Sequence, residues 1–185
     1  MDQVGATPKP RVATVWLGGC SGCHMSLLDL DERLIDLAPK LDLVFSPIVD
    51  VKVFPEGVDA TLVEGAICNE EHLHVIRTVR ERSRILVSFG DCAVSGNVTA
   101  MRNVLGKAEP VLQRAYIENV DLNPRRPTEP GIVPPLLNRV VPVHQVVRVD
   151  AYLPGCPPSA DLIFFVLEEL LAGRLPDVSS KLKYG

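Results

Sequence analysis

A chain of 185 residues, 46% hydrophobic and 23% charged, has the composition of one soluble globular domain with a well-developed core. Its net charge of −4 gives no electrostatic footprint of a nucleic-acid binder, which usually shows a strongly basic domain or face. No apolar run approaches the ~18 residues of a membrane span. The opening stretch, MDQVGATPKPRVATVWLGG, holds neither an apolar signal core nor a twin-arginine pair, which predicts a cytoplasmic chain.

Residues 1–10 are expected to form a tail, and RVATVWL (11–17) a buried strand by its Val and Trp content. HMSLLDLDERLIDLAPKL follows with Leu27, Leu28, Leu34, Ile35 and Leu37 near helical spacing, and Pro39 closes it. LDLVFSPIV (41–49) reads as an edge strand, since Pro47 cannot donate to a ladder. DATLVEGAI (59–67) is a further strand. Asn69 then caps a helix over EEHLHVIRTVRER, with Glu70 and Glu71 in its favourable first turn.

SRILVSFG (83–90) is the clearest strand in the chain, and shorter helical pieces follow at 97–105 and 109–118. Between 121 and 142, six prolines and one glycine break the pattern. The apolar residues mixed among them predict a long ordered surface loop, with a disordered linker as the alternative. HQVVRVDAYLPG (144–155) is strand-like, and SADLIFFVLEELLAGRLP (159–176) is a helix ending at Gly173 and Pro176. Residues 177–185 form a C-terminal tail. Strands alternating with helices over 11–176 predict an α/β domain: an open, mostly parallel, flavodoxin-like doubly wound sheet with helices on both faces.

Five cysteines cannot all pair within the chain, and a reducing compartment favours metal ligation or catalysis over disulfides. Cys20 and Cys23 follow the first strand, Cys92 follows RILVSFGD, and Cys156 follows VDAYLPG. A parallel sheet carries these three loops to one edge, where four sulfurs can meet. Gly18, Gly19, Gly22, Gly90, Gly96 and Gly155 stand where the backbone must turn tightly or approach an inorganic core. Four thiolates hold either zinc or an iron–sulfur cluster. Structural zinc sites usually show two close pairs, whereas one pair and two distant single cysteines suit a larger cluster; a redox dithiol would leave Cys92 and Cys156 unexplained. Cys68 also follows a strand, but lacks an adjacent glycine or proline and reads as a small core thiol.

The motifs WLGGCSGCHMS, LVEGAI, VSFGDCAVSGNV and YLPGCPPSADLI, in this order, resemble the small subunit of nickel–iron hydrogenases, most closely the cytosolic NAD-reducing (bidirectional) type. The resemblance runs from about residue 11 to 172. It implies that Cys20, Cys23, Cys92 and Cys156 ligate one [4Fe–4S] cluster. It further implies a partner large subunit holding the nickel–iron centre, and iron–sulfur/flavin diaphorase subunits carrying FMN and NAD. This chain itself would hold no catalytic metal centre and would relay electrons. Periplasmic members carry a twin-arginine leader and a cysteine-rich C-terminal part with two more clusters. SSKLKYG ends this chain with no cysteine after Cys156, from which a single cluster and a cytosolic place are expected.

Glu64 of VEGAI matches a family position near the subunit interface, with proton movement as one reading and a solvated strand-end carboxylate as the other. Backbone amides of Gly19, Gly22 and Gly155, with the His24 ring, are candidate donors to the sulfurs; His24 reads equally as a partly exposed first-turn residue. His72 and His74 fall on different helix faces, and none of the histidines is expected to bind nickel. Arg77, Arg80, Arg82 and Arg84 read as a solvated helix end. No nucleophile elbow is present, and Cys20 and Cys23 occupy the loop that would cradle a flavin phosphate. Two alternatives remain open. One is the cluster subunit of a respiratory NADH:quinone oxidoreductase, whose usual adjacent cysteines are separated here; the other is a zinc-stabilised binding module.

Overall fold

β1 (Arg11–Trp16) is buried at Val12, Ala13, Thr14 and Val15 alike, the pattern of a strand covered on both faces. β3 (Val58–Glu64) and β5 (Ser83–Phe89) share it. A computed structural model describes residues 8–182. In it, β2 (Asp42–Phe45), β1, β3, β5 and β7 (Ala151–Leu153) form one parallel sheet in the order β2-β1-β3-β5-β7. β2 lies at the edge, as Pro47 led one to expect. The expected doubly wound α/β architecture is observed.

Alternation splits the core into two faces. Val12, Leu62, Val87, Phe89 and Leu153 meet α7 (Ala160–Leu171) through Ile163, Val166, Leu167 and Leu170. Ala13, Val15, Val63 and Leu86 meet α3 (Glu70–Arg82) through Ile76 and Val79. Each buried Val, Leu, Ile or Phe among them contributes roughly 1.5–3 kcal/mol. α3 begins at Asn69, whose side-chain oxygen accepts the His72 N–H at 2.8 Å; Ser159 caps α7 in the same way at Leu162.

Several expectations need correction. The helix drawn from His24 to Pro39 is two short ones, α1 (Gly22–Leu28) and α2 (Arg33–Leu37). Leu30 is pulled fully into the core and Asp31 adopts φ +49°, which breaks the helical path. The proline-rich stretch is not loop throughout. Its end forms β6 (Leu136–Val141), which pairs antiparallel with β4 (Ile67–Asn69) in a separate two-stranded sheet. Of 144–155 only β7 is strand; Val143–Gln145 is a 3-10 turn.

Arg77 and Arg84 are exposed, as a solvated helix end would be, but Arg80 and Arg82 are tied down. Arg80 pairs with Asp150 at 2.6 Å and Arg82 binds Phe54 O and Glu56, pinning the end of α3 to its neighbours, while the exposed Arg84 faces Asp59 at 3.5 Å. Residues 1–7 of the expected N-terminal tail and 183–185 of the C-terminal tail lie outside the described residues. Val178, in the described part of the latter, is buried. No helix among the described residues is long and apolar enough to cross a membrane.

Candidate metal centre

The register sets the site. Trp16 stands beside Glu64, Glu64 beside Phe89, and Phe89 beside Leu153, so four strands end in one row. The strand order reverses between β1 and β3, the position where open α/β sheets bind ligands. Every loop leaving that row except the one after β3 carries a cysteine of interest.

The first loop is tied to the β3 loop by paired bonds between Gly18 and Ala66, at 3.0 and 2.8 Å. Ser21 then turns the chain with φ +66°, and α1 begins at Gly22, with Cys23 in its first turn. The second loop turns at Gly90 into α4 (Asp91–Ser95), which contains Cys92. It is laced to the third: Gly90 N–H donates to Leu153 O at 2.8 Å, Asp91 N–H to Gly155 O at 2.9 Å, and Gly155 N–H to Asp91 Oδ1 at 2.7 Å. Ser26 Oγ closes the circle by donating to Pro158 O at 2.6 Å. The Cys156–Pro157 peptide is cis.

Cys20, Cys23, Cys92 and Cys156 consequently line one small pocket of about 70 Å³, together with Glu64 and Asp91. Cys23 and Cys92 are buried, while Cys20 and Cys156 are exposed at its mouth. Larger hollows of about 650 and 610 Å³ lie along the proline-rich segment and contain no thiol. Among the described residues, no three His, Cys, Asp or Glu side chains close on a single metal ion. Four thiols around one pocket are the donor set of a zinc ion or an iron–sulfur cluster. The donor set, brought by three loops rather than as two close pairs, fits an iron–sulfur cluster.

The electrostatics reflect the same gathering of thiols. Burial pushes the Cys23 thiol up, and Glu64 and then the Cys92, Cys20 and Cys156 sulfurs push it further. Cys92 is raised by burial and then by Cys156, Cys20 and Glu64, against a lowering hydrogen bond from Thr99. Both thiols are therefore held as neutral S–H groups at neutral pH. Close backbone packing contributes too. A Cβ on Gly90 would fall 2.1 Å from Cys23 Sγ.

Of the expected sulfur donors, Gly22 N–H reaches Cys20 Sγ at 3.4 Å. Gly155 N–H is engaged by Asp91 instead, and Gly19 packs against Gly65 and Glu64. His24 is neither partly exposed nor aimed at sulfur. It is buried, with Nδ1 against Glu64 Oε2 and Nε2 3.0 Å from Thr14 Oγ1, which in turn donates to Ser46 Oγ at 2.8 Å. Glu64 is likewise no solvated strand end. It is 1% exposed and accepts the N–H groups of Cys23 and His24 at 3.3 and 3.0 Å. The carboxylate thus braces the turn that presents Cys23.

Cys68 lies apart from the pocket, half-buried beside Gly18, with its N–H donating to His72 Nδ1. Two residues at the site were missed from sequence. Asp91 had a signal, as the neighbour of Cys92 in a helical first turn. Asn97, whose side-chain nitrogen lies 3.2 Å from Cys156 Sγ, had none, because its partner is 59 residues away.

Residues 20–170 match the family described as NADH ubiquinone oxidoreductase, 20 kDa subunit. The chain is 42% identical over 178 residues to the delta subunit of the NAD-reducing hydrogenase HoxS of Cupriavidus necator, covering 94% of this chain and 84% of that one. It is 41% identical to a subunit of the F420-non-reducing hydrogenase vhu of Methanococcus voltae, spanning 94% of itself and only 60% of that relative. Among solved structures, an NAD+-reducing [NiFe]-hydrogenase in the H2-reduced state contains a chain that superposes with a TM-score of 0.89 at 43% identity, covering 96% of this chain and 99% of that one. A [NiFeSe]-hydrogenase of Dm. baculatum shares the fold at TM-score 0.60 and 19% identity, covering 92% of this chain and 67% of that one.

Proposed function

The chain belongs to the NADH ubiquinone oxidoreductase 20 kDa subunit family, on its hydrogenase small-subunit branch, and from that premise we propose its particular role. Residues 11–176 act as one electron-relaying domain of a cytosolic nickel–iron hydrogenase, with Cys20, Cys23, Cys92 and Cys156 holding a single [4Fe–4S] cluster. The observation that carries this reading is the gathering of four cysteines from three strand-end loops around one pocket.

When bound, the cluster supplies one-electron chemistry between the nickel–iron centre of a partner large subunit and an FMN-bearing diaphorase that reduces NAD. The chain's own residues place and tune it. Cys23 and Cys92 would hold it from the buried side, where low dielectric disfavours added charge; Cys20 and Cys156 would hold it from the exposed side, where a partner can approach. Gly22 N–H, donating to Cys20 Sγ, offsets part of the negative charge at that sulfur. Glu64 holds the Cys23 amide and the His24 ring, so the buried ligand cannot swing away.

Anaerobic purification of the complete complex, followed by iron, acid-labile sulfide and zinc analysis, tests the metal. Four iron and four sulfide per chain, added by this subunit to the count, are expected. Stoichiometric zinc without sulfide would instead establish the binding module. Hydrogen-dependent reduction of NAD or a dye tests the assembly. A quinone-sensitive complex inert to hydrogen would mark the respiratory alternative.

A further inference from the structure

Asn97 opens the short helix α5 (Asn97–Ala100) with φ +37°, a left-handed backbone that Asn and Gly adopt more readily than other residues. The turn before it is pinned. Gly96 N–H donates to Cys92 O at 3.0 Å, and Gly96 O accepts from Thr99 Oγ1 at 2.6 Å. The loop that carries one thiol thereby delivers an amide to another: Asn97 Nδ2 stands 3.2 Å from Cys156 Sγ, within hydrogen-bond range for sulfur. A thiolate has lone pairs and no proton, so the amide must face it through N–H rather than through oxygen. Gly155 N–H, the nearer candidate from the ligand's own loop, is already given to Asp91.

We propose that Asn97 is a tuning residue, whose side-chain N–H donates to Cys156 Sγ and raises the reduction potential of the cluster that Cys156 helps to hold. The proposal rests on the assignment of Cys156 as a ligand. Reduction adds one electron and moves no proton. The added charge is shared with the ligating sulfurs, and a donor fixed at one of them stabilises the reduced form more than the oxidised one.

Asn97→Gly is the informative variant, because glycine keeps the left-handed backbone and removes only the amide. The intact complex is titrated reductively, with the reduced cluster followed by low-temperature EPR and iron and sulfide counted in parallel. With unchanged iron and sulfide, the equilibrium should move about threefold to tenfold toward the oxidised form, a fall of ~30–60 mV at 59 mV per tenfold for one electron. Asn97→Asp, which replaces the donor with an acceptor, should fall further. A full complement of iron and sulfide with an unmoved potential would overturn the proposal.

If N97G loses iron, the unaltered complex decides. After labelling asparagine side-chain nitrogen with 15N, a hyperfine coupling in the reduced-cluster spectrum supports the bond, and its absence overturns it. Zinc without sulfide in the unaltered complex would instead bring down the ligand assignment, and this proposal with it.

Discussion

Gly90→Ala tests whether the pocket is packed as described. Gly90 has φ 81° and ψ 161°, a conformation nearly confined to glycine, and an alanine held there is strained by about 1–3 kcal/mol. Its new methyl would lie 2.1 Å from Cys23 Sγ, far inside van der Waals contact. Cys23 has little room to retreat, because it is buried against the core and its N–H is held by Glu64. Overpacking of this kind costs a further 1–3 kcal/mol or so, for a total of about 2–6 kcal/mol. At 2–4 °C per kcal/mol for a domain this size, Tm should fall by roughly 5–20 °C.

Iron content should fall as well, because the sulfur that must move is one of the four. A stability loss alone does not predict that. Leu170→Ala, at the opposite end of the sheet, should lower Tm through a cavity worth about 2–5 kcal/mol yet keep its iron. Differential scanning calorimetry and iron analysis of the two variants provide the comparison. G90A with unaltered Tm and full iron would refute the packing argument.

Other outcomes follow from the same geometry. Cys92→Ser should lose most iron and its EPR signal, whereas Cys68→Ser should keep both; equal losses would mean that the wrong four cysteines were chosen. Glu64→Ala strips an acceptor from two buried N–H groups and the His24 ring, and should lower unfolding free energy by about 3–5 kcal/mol in urea titration. A cost below about 1 kcal/mol would show that water replaces the carboxylate. Burial alone would push Asp150 up, but hydrogen bonds from Arg80 and the Leu86 N–H, with the charges of Arg80 and Arg148, hold it below its ordinary 3.8. A depressed folded-state value stabilises above the ordinary value and is lost as pH falls through the folded one. Asp150→Asn should therefore cost about 1–3 kcal/mol at neutral pH, with the gap from the unaltered protein closing in acid. A gap constant with pH would show that the ion pair contributes nothing.

Local signals were the legible ones. β1, β3 and β5 show in their Val, Ile and Leu runs, and Asn69 with two glutamates marks a helix start that the Asn69–His72 bond realises. Cysteines placed just after strands locate the rim from sequence, because parallel strands end on one side. Distant partnerships stayed hidden. Leu30 belongs to the core, and its pull splits a helix that spacing alone would continue. β6 hides in a proline-rich run because its pairing to β4 joins Ile67 to Val141, and no local pattern announces that. Glu64 at a strand end looks solvated until α1 folds over it with two N–H groups and an imidazole. The arginines likewise acquire meaning only from Phe54, Glu56, Asp59 and Asp150.

Because Cys156 follows β7, and β7 joins the sheet through β5, the fourth thiol is synthesised after the other three and reaches the rim only once β5 is in place. A ribosome-bound fragment lacking that last segment can present at most three sulfurs, in an unlaced rim. Under the proposed ligand set, the cofactor cannot be held by all four sulfurs until β7 has docked against β5.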